Sequence, residues 1–402
     1  MIERAKFPKQ KDVMLITDYP VKSEITEGEK YSSISNMNLI TSLRTGRINQ
    51  YGKTIVDPSY KGINSINMFC TYLDYEGFEE NNYDYIKEIV KGKERLEDEE
   101  YFPLPTVKDT YVHERLWNEF QKLLKEIELV QPKLIIIASK WSLFLLTACT
   151  TLGTNRGNYK DRKPLGGLNK FRSSILSPSP EWNLNYIENE IDGEIEYLSP
   201  IVIPIFHTIH AMSMPDKLST MQLDIEKLGW MFFKIKTEGI AYYAKPVTNF
   251  TLGVDKGKII DYMSNLIKRL DEKPTRVSVD IETKYNSMID CIGFTDKVNE
   301  GVCIPFAGEK NPNIWTEEEE VELTLIMVEV LTHPNCLIIA QNGSYDLQFL
   351  YKLYNLDLKL ADDTMIASHI LYNYLPKRLD FLASLYVEKY FMWKNMQNFG
   401  KD

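Results

Sequence analysis

Residues 277–283 run Val277-Ser278-Val279-Asp280-Ile281-Glu282-Thr283, and the fold of the chain's second half turns on how they are read. Val277, Val279 and Ile281 alternate with Ser278, Asp280 and Glu282, which is the period of two of a half-buried strand. That period puts both carboxylates on one face, about 7 Å apart along the chain. Two such groups can grip one hard cation, and Mg²⁺ or Mn²⁺ takes oxygen ligands of this kind. An isolated Asp-x-Glu is more often the solvated face of a strand, so the neighbouring sequence has to decide.

Working outward, Met288 to Phe294 and Gly301 to Phe306 read as two more strands in quick succession, an antiparallel meander. A helix follows from Thr316 to Leu331, with Thr316 as its cap and Glu317 to Glu320 at the positive end of its dipole. Next comes the buried strand Cys336-Leu-Ile-Ile-Ala340, then Gln341-Asn342-Gly343-Ser344-Tyr345-Asp346. Asn342-Gly343 has the composition of a turn, and Asp346 falls at a strand-to-helix junction, where function often sits. Helical patterns cover 364–373 and 379–391, and Leu266 to Leu270 ends a lead-in helix. Strands first, then helices around a parallel strand, predict a ribonuclease-H-like layout.

The first half alternates differently. Val13 to Thr17, Lys133 to Ala138 and Ile201 to Phe206 are short apolar runs that read as buried strands. Leu116, Phe120, Leu123, Leu124 and Ile127 fall at helical spacing, and Asp224 to Trp230 reads as a closing helix. This predicts a parallel α/β domain over 1–240. Polar segments at 93–108 and 176–198 read as loops or insertions, and 241–260 as the linker to a second domain over 261–402.

The bulk composition narrows the function. At 402 residues with 44% hydrophobic content, the chain is long enough for two cores. It has no long apolar span and no signal-peptide pattern, so a cytoplasmic protein that does not engage membranes is expected. Cys70, Cys149, Cys291, Cys303 and Cys336 are scattered and never spaced Cys-x-x-Cys, which argues against a disulfide framework or zinc ribbon. A net charge of -10 disfavours general DNA coating and leaves room only for local contact. One local basic stretch exists: Arg156, Lys160, Arg162, Lys163, Lys170 and Arg172, interleaved with glycines, Tyr159 and Phe171, suit a loop on a single-stranded backbone. A solvated loop with a chance excess of charge reads equally well.

VSVDIET at 277–283 resembles the first exonuclease motif of family A DNA polymerases, and NGSYDLQFL at 342–350 resembles the second. DDTMIASHILYNYLPKRLDFLASLYV at 362–387 is similar to the segment that follows them. The resemblance implies a DnaQ-like 3′-5′ exonuclease of the phage type, acting in proofreading on single-stranded DNA 3′ ends and releasing nucleoside monophosphates. It implies that Asp280, Glu282 and Asp346 bind a Mg²⁺ or Mn²⁺ pair, with Asn342, Tyr345 and Thr283 against the substrate. The family's third motif, Tyr-x-x-x-Asp, is missing after Asp346, so the domain is expected to be incomplete at its C-terminal end. A polymerase chain or another replication protein is then an expected partner.

The order of elements over residues 10–235 resembles the uracil-DNA glycosylase superfamily. LITDYPVKSEITEGEKYSS at 15–33 is similar to a degenerate first motif, with Asp18 in place of the usual Glu, and IPIFHTIHAM at 203–212 resembles the second. The resemblance implies an α/β/α fold with a pocket drawn from Asp18, Tyr31, Asn67 and His207, in which an aromatic ring stacks on a flipped base. Two other readings of the whole chain remain open: a non-catalytic module binding DNA or a replication partner, and an exonuclease of the ribonuclease-D kind acting on RNA.

Overall fold

The computed structural model describes residues 11–46 except 19 and 21, then 63, 67–74, 88–92, 95, 99–149, 152–155, 158–164, 167–191, 193–208, 215–244, 248–284, 287–307 and 314–392. The chain divides into two compact units, one of Met1–Ala244 with Ala383–Asp402, the other of Lys245–Leu382. From Ala383 onward the chain thus groups with the first unit, whereas the sequence reading ran the second domain to 402.

The first unit is built on a four-stranded parallel sheet in the order Ile201–Pro204, Leu134–Ile137, Val13–Thr17, Met68–Tyr72. Its two central strands, Leu134–Ile137 and Val13–Thr17, are buried at every position because both faces are covered, as parallel sheets require. Val13, Leu15, Leu134, Ile136, Ile201 and Ile203 point into one apolar cluster with Ile225, Leu228 and Phe232 of the helix Pro215–Glu238. Met14, Ile16, Ile135, Ile137 and Val202 point into the other, against Leu116, Phe120, Leu123 and Ile127 of the helix Glu114–Val130. That helix stops at Gln131, in the left-handed region at φ 50°, immediately before Pro132.

The polar segments expected to be loops carry strands. Tyr101–Pro103 joins Thr110–His113 and Ile89–Lys91 in a three-stranded sheet. Ile187–Ile191 and Glu194–Leu198 pair as an antiparallel ribbon, with Gly193 at φ 84° between them. Alternation such as Glu194-Ile-Glu-Tyr-Leu198 satisfies a ribbon wet on both faces, so polar composition alone is a poor guide to loops.

The second unit holds a six-stranded sheet in the order Asn249–Thr251, Glu300–Pro305, Met288–Lys297, Thr275–Lys284, Cys336–Ala340, Leu360–Asp363. Its middle strands form the expected antiparallel meander, and Cys336–Ala340 and Leu360–Asp363 then run parallel. The helix Lys256–Glu272 begins at Asp255, whose side chain accepts from the Lys258 N–H at 3.1 Å, and it buries Ile259, Met263, Leu266 and Leu270. The helix Glu317–Thr332 opens with a reciprocal capping box: Thr316 accepts from the Glu319 N–H at 3.3 Å and Glu319 from the Thr316 N–H at 3.2 Å. Among the described residues no helix is long and apolar enough to cross a membrane.

Candidate active site

The strand Thr275–Lys284 places the first two acids. Val277, Val279 and Ile281 are buried, while Asp280 and Glu282 stand exposed on the opposite face. This strand is longer than its parallel neighbour: pairing with Cys336–Ala340 covers only Thr275 to Ser278. The Ile281 N–H, beyond that pairing, donates to the Oδ1 of Asp346 at 3.0 Å. Asp346 lies in the first turn of the helix Ser344–Tyr354, so this one bond draws the third acid against the backbone link between the other two.

The same crowding is visible in its charge. Burial first, and then the charges of Asp280 and Asp363, push the Asp346 carboxyl up to about 6, against the opposing pull of the Ile281 N–H. Negative groups gathered in a partly dry place favour a cation. The donor set is carboxylate oxygen throughout, the chemistry that Mg²⁺ or Mn²⁺ takes, so the residues fit the expected ions. As they stand, no three His, Cys, Asp or Glu side chains among the described residues are placed to hold one ion.

A second contact ties the two motifs. The Thr283 and Tyr345 hydroxyls are hydrogen-bonded at 2.7 Å. Pairing with the Met288–Lys297 strand shifts register between Glu282 and Thr283, and irregularities of this kind re-aim side chains beside sites. The Tyr345 ring packs 5.0 Å from Phe349 and remains 38% exposed, so part of it is open to a ligand.

The turn between strand and helix is strictly shaped. Asn342 sits in the left-handed region at φ 61°, which Asn tolerates better than most residues. At Gly343 the constraint is space: a Cβ there would lie 2.7 Å from the Ala340 Cβ and 2.8 Å from a Leu360 methyl. Asp363, at the end of the last strand, accepts from the N–H groups of Asn342 at 3.2 Å and Gly343 at 2.9 Å, and also caps its own helix through Met365 at 2.8 Å and Ile366 at 3.2 Å. Burial raises the Asp363 carboxyl, but these four N–H bonds outweigh it and hold it below the usual range. The sequence reading missed this residue. Its capping signal, Asp before Thr at a helix start, was legible, but its reach back to Asn342 was not.

The N-terminal residues do not assemble as expected. Asp18 follows the carboxyl end of Val13–Thr17 and accepts a hydrogen bond from Ser139, with burial pushing its carboxyl up to about 6. His207 follows the carboxyl end of Ile201–Pro204, its Nε2 2.7 Å from the Asn36 Oδ1. Asn67 precedes Met68, and Met68 pairs in parallel with Val13, so Asn67 stands at the amino ends of the strands, opposite the ends that carry Asp18 and His207. Tyr31 is a core residue, 4% exposed and stacked on Tyr72 at 4.7 Å, with its hydroxyl donating to the Thr71 carbonyl at 2.5 Å. Its ring is therefore not open to a flipped base. Composition gave no sign of the buried Glu24, which accepts from the Ser33 N–H at 3.1 Å, Asn36 at 2.7 Å and Tyr72 at 2.8 Å.

The basic stretch is likewise not one loop. Arg156 lies outside the described residues; Lys160, Arg162 and Lys163 belong to the strand Asn158–Pro164, paired with Leu152–Asn155 in a hairpin. Lys170 is on the short helix Gly167–Phe171. Arg172 is only 2% exposed, bound to Asp224 and, at 2.5 Å, to Ser384, so it serves the core and not a nucleic-acid backbone.

No curated protein matches the chain. Among solved structures, one described as the apo form of the nuclease is similar at 13% identity and a TM-score of 0.27, over 38% of this chain and 66% of that one. Escherichia coli RNase D, described as an exoribonuclease involved in structured RNA processing, is similar at 16% identity and a TM-score of 0.21, over 31% of this chain and 28% of its own. The chain thus spans under two thirds of the length of either. Residues 258–398 match a family model described as 3′-5′ exonuclease, and through that match the part of the chain bearing Asp280, Glu282 and Asp346 is a 3′-5′ exonuclease domain.

Proposed function

We propose that the chain removes nucleotides from single-stranded DNA 3′ ends, as the proofreading part of a phage-type family A DNA polymerase. Asp280, Glu282 and Asp346 would hold the Mg²⁺ or Mn²⁺ pair. When bound, such ions activate water and neutralise charge building on the phosphate. The protein's own share is placement. Asn342 and Tyr345 flank the acids, Thr283 fixes the Tyr345 hydroxyl, and the Ile281 N–H fixes Asp346. The observation that carries the reading is the Asp346–Ile281 bond, because it brings the second motif onto the first without any ion.

The resemblance in motifs supports DNA as substrate, and the sequence similarity of 362–387 to the polymerase family favours it over RNA. The first unit is proposed as a DNA- or partner-binding scaffold, since Tyr31 and Asn67 are not placed to line a base pocket with Asp18 and His207. One observation favours a second reading, a binding module without catalysis: no three acids among the described residues are placed on one ion. A polymerase chain or replication protein supplying a further ligand would reconcile the two.

The test is digestion of a 3′-labelled single-stranded DNA with Mg²⁺ or Mn²⁺, beside an EDTA control and the pair Asp280→Ala with Glu282→Ala. Stepwise mononucleotide release, lost in the double variant, is expected. No release with binding retained would favour the module, and unchanged release in the variant would refute the site.

A further inference from the structure

We propose that Asp363 is a positioning residue of this site, holding the Asn342–Gly343 turn, in which Asn342 is left-handed and Gly343 right-handed, and so setting where Asn342, Tyr345 and Asp346 stand. The proposal rests on the exonuclease reading above. One carboxylate, 8% exposed, serves four backbone N–H groups on two segments, 342–343 and 365–366. It is therefore a clamp between the start of its own helix and the turn that opens the Asp346 helix.

The clamp matters because that turn has one particular shape. Asn342 is at φ 61°, a region asparagine enters more easily than most residues but need not keep unless it is held there. At Gly343 any side chain would clash with Ala340 and Leu360, so the turn passes close against both. The Asn342 carbonyl accepts from the Tyr345 N–H at 3.0 Å, and the Gly343 carbonyl from the Leu347 N–H at 2.9 Å, so any rotation of the turn passes directly into the first turn of the helix. Asp346 would leave the Ile281 N–H, and Tyr345 would leave Thr283. These four bonds of Asp363 all go to backbone N–H groups, so its hold on the site runs through the backbone.

Its neighbour supplies the control. Asp362 is exposed and, among the described residues, its carboxylate pairs with Arg276 at 3.1 Å and not with the turn, so neutralising it leaves the turn alone. The experiment compares Asp363→Asn, Asp363→Ala and Asp362→Asn in the full chain, measuring kcat, KM, melting temperature and amide exchange over 341–346. Asp363→Asn keeps one carbonyl oxygen and so part of the clamp. The expected result is kcat down about tenfold in Asp363→Asn and about a hundredfold in Asp363→Ala, with KM within about threefold and Asp362→Asn unchanged. Rates equal to wild type in both Asp363 variants, or losses that simply follow melting temperature, would overturn the proposal. Should the wild-type chain itself release nothing, the exonuclease reading fails, but exchange still decides about Asp363. Amides over 341–346 exchanging about tenfold faster in Asp363→Asn support the clamp, and unchanged exchange overturns it.

Discussion

The Asp346 carboxylate and the Ile281 N–H, 65 residues apart in sequence, meet at 3.0 Å, one residue from Asp280 on one side and one from Glu282 on the other. A strand outrunning its neighbour leaves an N–H without a sheet partner, and the site is organised around satisfying it.

That arrangement costs stability at neutral pH. The Asp346 carboxyl titrates at about 6 when folded against 3.8 ordinarily, so the folded chain binds the proton more tightly. The associated stability is present below about pH 4 and lost as pH rises through 6. Asp346→Asn should therefore melt a few degrees higher than wild type at pH 8, with the gap closing near pH 4, while nuclease activity falls at least about a hundredfold. Thermal melts at the two pH values check the first part.

The Thr283–Tyr345 hydrogen bond predicts coupling. Thr283→Val and Tyr345→Phe should each lower kcat about tenfold with little change in melting temperature, because the bond is partly exposed and contributes only about 1 kcal/mol. The double variant should be no worse than either single one, and a double-mutant cycle on kcat reads this directly.

Gly343→Ala should destabilise the second unit by about 2 kcal/mol, since its methyl would have to displace Ala340 and Leu360. Urea unfolding followed by circular dichroism measures the loss.

Removing Arg172 should act through folding. Arg172→Ala removes the ion-pair partner of the buried Asp224 and leaves it the Ser173 hydroxyl and the Lys227 charge, at a cost of about 3 kcal/mol. DNA affinity of the fraction that remains folded should equal that of wild type in a filter-binding assay at fixed salt.

Uracil in DNA should survive incubation with the chain, because the Tyr31 ring is already covered by Tyr72 and Asn67 lies at the amino ends of the strands, away from Asp18 and His207. Alkaline cleavage of a uracil-containing oligonucleotide after incubation would reveal any lost base.

Much of the second unit was legible in its sequence. The alternation around Asp280 and the composition of Asn342-Gly343 are local signals, and local rules read them. The clamp at Asp363 was not legible, because its partners at 342 and 343 lie about 20 residues away, and a capping Asp looks the same whether or not it holds a second segment. In the first unit the apolar runs Val13–Thr17 and Leu134–Ile137 announced strands, and their strands are found. Site residues there were misread for the opposite reason. Tyr31 and Arg172 belong to types usually counted as functional, and pairwise burial with Tyr72 and Asp224 turned both into core.

The grouping of Ala383 onward with the first unit has a consequence for synthesis. Tyr390 and Met392 are buried in the same cluster as Phe120 and Phe144, and the Ile175 N–H donates to the Tyr390 carbonyl at 2.8 Å. A ribosome makes every residue of the second unit before it delivers these two side chains. The first unit, though begun first, is the last to close, and a nascent chain halted at Leu382 would expose the apolar surface that Tyr390 and Met392 later cover.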